Sequence, residues 1–123
     1  MEKKEELVKL LDGVSMADVV ESEAFSQALQ GCLNVELSTL ENVRKRAKQM
    51  GRKIKSNPID KLKDDGAFNV DMFKMLFLAI VDKRCLLPAT LRDYIRQVCM
   101  QAYGKALREI VEQRRKELKT GKI

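Results

Sequence analysis

Seven Lys or Arg side chains and one carboxylate stand in the sixteen residues from Glu41 to Ser56, ENVRKRAKQMGRKIKS. Cations at that density suit one kind of chemistry: displacing counterions from a row of phosphates, or meeting a carboxylate-rich surface. Wound into a helix, Arg44, Lys48 and Lys55 flank the apolar residues on one side, and Lys45 with Arg52 continue that band around the back. Arg46 and Lys53 fall together on the other flank. Like charges three and four residues apart repel by about 0.2–0.5 kcal/mol per pair, and only Glu41 offsets them within this stretch. The remaining offset is either internal, from Glu21, Glu23, Glu36 or the turn Asp60 to Asp65, or external, from a polyanion. The chain's end repeats the theme with Arg108, Arg114, Arg115, Lys116, Lys119 and Lys122, diluted by Glu109, Glu112 and Glu117.

Bond-making chemistry has few candidates. The chain has no histidine, the commonest general base and metal ligand. Cys32, Cys85 and Cys99 are odd in number and too far apart for a zinc knuckle or a redox dithiol. Their surroundings read as those of buried thiols in a reducing compartment. Asp60, Asp64, Asp65 and Asp71 resemble a calcium loop only loosely, because Leu62 and Gly66 fall where such a loop wants carboxylates. No Gly-rich phosphate loop, G-x-S-x-G or C-x-x-C motif is present. The expectation is no catalytic residue, no metal site and no cofactor.

The elements that must carry the basic stretch read as helices throughout. Leu7, Val8, Leu10 and Leu11 lie on a charged segment, Glu2 to Asp12, that Gly13 ends. Ser15 caps a second segment, with Gly31 as its stop and Ser22 as a break that divides it into two short helices. Ser38 followed by Glu41 is a capping-box pattern, which starts the basic helix at Thr39. Leu40, Val43, Ala47, Met50 and Ile54 draw its apolar stripe, and Asn57 before Pro58 stops it. A short helical turn over PIDKLKDDG follows. Asn69 then caps a helix from about Val70 to Arg84 whose middle, MFKMLFLAIV, is apolar nearly all round. Such a helix belongs at the centre of a fold, with Leu76, Phe77 and Ile80 nearly inaccessible.

A last helix starts at Pro88 and reaches Lys119, with Leu91, Ile95, Val98 and Ala102 as its stripe. Beyond Gly104 the apolar positions move to Leu107, Ile110, Val111 and Leu118 on a rotated face. Either Gly104 bends the helix, or Leu107, Val111 and Leu118, with Arg114 and Arg115 between them, meet a partner.

The totals agree with these assignments. A chain of 123 residues makes one domain, with 45% apolar and 34% charged residues. Two prolines, six glycines and scarce β-branched alternation argue against an all-β fold. The net charge of +6 is uneven: residues 1–36 hold three basic and eight acidic side chains, and the other 87 hold 21 and 10. The start, MEKKEELVKL, lacks the apolar stretch of a signal peptide, and the longest apolar run, Met75 to Val81, is too short to span a bilayer. A cytoplasmic, intracellular protein is expected.

The sequence therefore predicts an all-α fold. It is a single helical domain over 1–123, a compact bundle of four or five helices around a central apolar helix at about 70–84. A long C-terminal helix covers about 88–119, and its end, 106–123, protrudes to bind a partner. The expected function is that of a non-enzymatic binding subunit or adaptor within a larger assembly. Its sequence-nonspecific basic face, Arg44, Lys45, Lys48, Arg52 and Lys55, would meet a DNA or RNA backbone. With no Trp and two Tyr, few side chains are available to stack on bases, so backbone contacts should dominate. The C-terminal helix, through Leu107, Val111, Arg114, Arg115 and Leu118, would meet a protein partner or a second copy; no membrane is expected as a partner. The alternative is a structural or protein-interaction subunit of a phage or multiprotein complex, its basic face against an acidic protein. A histidine-free enzyme is the third reading.

Overall fold

Ser15 caps a helix at its N-terminus: its Oγ accepts from the Asp18 N–H while the Asp18 carboxylate accepts from the Ser15 N–H, a reciprocal capping box. The bond from the Ser15 N–H, then the Ser15 side chain, holds the Asp18 carboxyl below its ordinary pKa. The structure, a computed structural model, describes residues 13–53 and 57–119. The helix expected over 2–12 lies outside the described residues. Over the described residues the fold is all-α, with five helices and no strand.

Helix α1 spans Met16–Glu21 and ends at Ser22, whose Oγ then accepts from the Phe25 N–H to start α2. Helix α2, Glu23–Gln49, runs unbroken for 27 residues through Gly31 and Ser38. Contrary to the sequence expectation, the helix neither stops at Gly31 nor starts afresh at Thr39. Gly31 and Ser38 both face water, while Leu29, Cys32, Leu33 and Leu40 are buried on the inner side. Burying one leucine stabilises by about 1.5–3 kcal/mol, which outweighs the ~1 kcal/mol that a helical glycine costs. Tertiary burial overrides the local stop signal.

Helix α3, Pro58–Asp64, has Asn57 as its N-cap and proline in its first turn. Helix α4, Val70–Val81, is capped by Asn69, which accepts from the Met72 N–H. Helix α5, Ala89–Lys119, is 31 residues long and passes through Gly104 without a break. Three helices end in the same way. At α2, α3 and α4 the residue after the C-cap is left-handed: Gly51, Gly66 and Lys83, with φ of 66°, 69° and 59°. The next N–H in each case, Arg52, Ala67 or Arg84, bonds five residues back, to Ala47, Leu62 or Ala79.

The core forms between two long helices. At 1.5 Å per residue α2 is about 40 Å long and α5 about 46 Å. They run antiparallel, since Glu23 and Gln27 at the start of α2 line one depression with Gln113 and Glu117 near the end of α5. Helix α5 touches each of the other four, and its most extensive contact is with α2. It contributes Leu91, Ile95, Val98, Cys99, Ala102 and Ala106 to the buried cluster. Helix α1 adds Val19 and Val20, α2 adds Phe25, Leu29, Cys32 and Leu33, and α4 adds Phe73 and Phe77. The Phe25 and Phe77 rings lie nearly parallel with centroids 6.3 Å apart, and Phe68 meets Phe73 edge-on at 5.5 Å.

Helix α4 packs on one side of this pair, so only its Phe73–Phe77 stripe is fully enclosed. Phe77 is inaccessible as expected, but Leu76 and Ile80 are only partly buried. No helix among the described residues is long and apolar enough to cross a membrane.

Candidate nucleic-acid interface

Leu40 is the last buried residue of α2, and every side chain from Glu41 to Arg46 is exposed. The helix outruns its core here, so this end is presented to solvent by two turns of overhang. Arg44, Lys45 and Lys48 share one side with Glu41, and Lys45 and Arg46 flank the shallow depression lined by Asn42, Val43 and Gln49.

Arg44 does not stand free. It donates through Nη2 to Oδ1 of Asp60 on α3, an ion pair that ties the overhang to its neighbour. That hydrogen bond is the main reason the Asp60 carboxyl sits below its ordinary pKa, with the charges of Arg44 and Lys63 adding to it. One part of the internal offset expected from the Asp60–Asp65 turn is therefore in place. Among the described residues the other ion pairs are Arg84–Asp82, Arg92–Asp93 and Arg96–Asp93, none of them on α2. Lys45, Arg46, Lys48, Arg52 and Lys53 are all exposed.

A second offset was not foreseen. Arg46 and Lys48 occupy the last turn of α2, where the unpaired carbonyls carry partial negative charge. A cation so placed is stabilised by about 0.3–1 kcal/mol at low ionic strength, comparable with the repulsion it feels.

The band itself is shorter than a continuous helix would make it. Arg52 is not on the helix: Gly51 turns the chain, and Arg52 and Lys53 lead away from its end. The signal was legible in QMG, a glycine just past a basic last turn, but the later proline was the stronger stop. The structure brings Arg44, Lys45 and Lys48 together and puts Arg52 beyond the turn; Lys55 lies outside the described residues.

The second group expected to bind a partner is dispersed. Leu107 packs against the core and Val111 is 8% exposed, while Leu118 is 48% exposed. Arg114 lines the depression between α2 and α5, and both Arg114 and Arg115 are engaged in interactions of their own. The start of α2 covers this part of α5, which an α2 broken at Gly31 and Ser38 would have left less evident.

The thiols divide in two. Cys32 and Cys99 are buried side by side, and burial, then the neighbouring Cys32, pushes the Cys99 thiol up to about 12. Cys85 is only partly buried, in the loop after α4. Among the described residues no group of three or more Cys, Asp or Glu is placed to hold a metal ion.

No family model, curated protein or solved structure matches this chain.

Proposed function

We propose that this protein is a non-enzymatic binding subunit that docks on a nucleic-acid backbone through the exposed end of α2. One observation carries the reading: the end of α2 leaves the core, and Lys45, Arg46 and Lys48 on it and Arg52 just beyond it stand exposed, with Glu41 the one carboxylate in that stretch. An overhanging cationic helix end gains nothing from burial, and phosphates can reach it from several sides. Contacts of this kind go to the backbone, so they position the protein without reading sequence.

The acidic-protein reading is the second one, and the Arg44–Asp60 pair favours it, because a protein carboxylate already occupies part of the band. A single titration separates the two. Lys45, Lys48 and Arg52 changed together to Gln keep good helix formers at the two α2 positions and leave the Arg44–Asp60 pair intact. Affinity for duplex DNA or RNA should fall similarly on unrelated sequences. The slope of log K against log salt should become shallower by about 0.9 per lost phosphate contact on DNA. A parent protein that fails to bind either duplex at physiological salt ends the nucleic-acid reading and leaves the acidic protein.

A further inference from the structure

Arg44 and Asp60 stand sixteen residues apart in the chain, and their ion pair joins α2 to α3. The pairs Arg84–Asp82, Arg92–Asp93 and Arg96–Asp93 each link residues no more than three apart. The long-range pair is not what anchors α3. Ile59 and Leu62 are buried beneath that helix, Asn57 caps it and Pro58 stands in its first turn. Both members of the pair stay open to water, with side chains 45% and 36% exposed, and an exposed pair of this kind adds little to stability. Its position says more. Arg44 lies one helical turn before Lys48 and lines the same depression as Lys45, so a released guanidinium lengthens that exposed row by one cation. Lys63 of α3 is exposed, and its charge also acts on the Asp60 carboxylate. Asp60 thus sits between cations from two helices.

We propose that Asp60 is an internal competitor for Arg44, withholding its guanidinium from a nucleic-acid phosphate and so limiting how tightly the end of α2 binds. The inference rests on the nucleic-acid reading above and names a regulator of that same surface. A carboxylate and a phosphodiester each carry one negative charge, and both accept the N–H donors of arginine. They therefore compete for one guanidinium. The carboxylate is tethered beside Arg44 by the packing of α3, which gives it a high effective concentration, whereas a phosphate arrives from solution. The wild-type chain then binds through Lys45, Lys48 and Arg52, and Arg44 is held in reserve.

Salt titrations of duplex DNA binding by four full-length chains test this: the parent, Asp60→Asn, Arg44→Gln and the double variant. Asp60→Asn should tighten binding by about three- to fivefold at physiological salt. The slope of log K against log salt should steepen by about 0.9, the mark of one further phosphate contact. Arg44→Gln should leave the parent's slope unchanged and bring that of Asp60→Asn back to it. The decisive chain is the double variant, which loses one charge of each sign and so matches the parent in net charge. It should bind as the parent does, in affinity and in slope. A double variant that binds more weakly, with a slope shallower by about 0.9, shows Arg44 already on a phosphate and overturns the proposal. A parent that binds but gains nothing from Asp60→Asn refutes the competitor and leaves the nucleic-acid reading standing. If neither the parent nor Asp60→Asn binds, that reading falls and the competitor falls with it. Melting curves of the same chains should agree closely; a loss of more than about 5 °C in Asp60→Asn would assign the pair to holding α3 and overturn the proposal.

Discussion

Cys99 has no access to water and lies in the same buried cluster as Cys32, its Sγ reaching toward the Phe73 carbonyl at 3.8 Å. A thiol reagent should therefore modify Cys85 within the native protein, and Cys32 and Cys99 only after denaturation; mass spectrometry of native and unfolded samples reads this directly. Rapid native labelling of Cys99 would mean that its helix is not where the structure puts it. The raised Cys99 value also has a consequence for stability. The folded state keeps the proton up to about 12, while the unfolded chain releases it near 9.0. The folded state thus binds more protons across that window, and stability falls as pH rises through it. The stability gap between wild type and Cys99→Ala should narrow from pH 9 upward, by at most about 1.4 kcal/mol per pH unit, as followed by denaturant titration. Tyr94 makes a related point. Its hydroxyl is buried beside the Glu36 carboxylate but outside good hydrogen-bond geometry, and burial, then that carboxylate, raises its pKa. Tyr94→Phe should leave stability unchanged or raise it by up to about 1 kcal/mol, whereas losing a satisfied buried hydroxyl would lower it.

At the scale of elements, the two long helices each carry a glycine that neither interrupts nor ends them. A Cβ added at Gly31 or Gly104 would meet nothing within 4 Å, and neither residue has a positive φ. Gly31→Ala and Gly104→Ala should each stabilise the protein by about 0.5–1 kcal/mol, measured as a shift in denaturation midpoint. A stop at Gly31 in the left-handed conformation would give the opposite sign, so this pair of substitutions tests the continuity of α2 and α5. Caps were legible at Ser15 and Asn69, which act as the sequence suggests; Asn57, read as the end of the preceding helix, instead caps α3, and Ser38 caps nothing. Glycines were less so. Gly51 and Gly66, both left-handed, terminate helices, while Gly31 and Gly104 sit inside helices whose buried residues continue on both sides of them. Lys83 carries the same left-handed turn with no glycine at all, which no composition pattern announces.

At the scale of the molecule, the length of α2 decides what the end of α5 does. Ala106 is fully buried, Val111 nearly so, and Leu107 and Ile110 pack against the core. Deleting residues 106–123 should consequently cost more than about 3 kcal/mol or unfold the protein, while stopping after residue 117 should leave a cooperative melt. A fully stable deletion of 106–123 would return the whole end to a partner. The sequence by itself determined that the chain is helical, that Ser15 and Asn69 cap helices, and that cations crowd residues 44–53, since these follow from local periodicity, hydrogen bonding and composition. Only the tertiary structure decided that α2 passes through Gly31, that Arg44 is held by Asp60, and that the most apolar helix turns Met75 and Val81 to water. Each of those outcomes depends on which distant segment is brought alongside, and a one-dimensional pattern of residue types does not encode that neighbour.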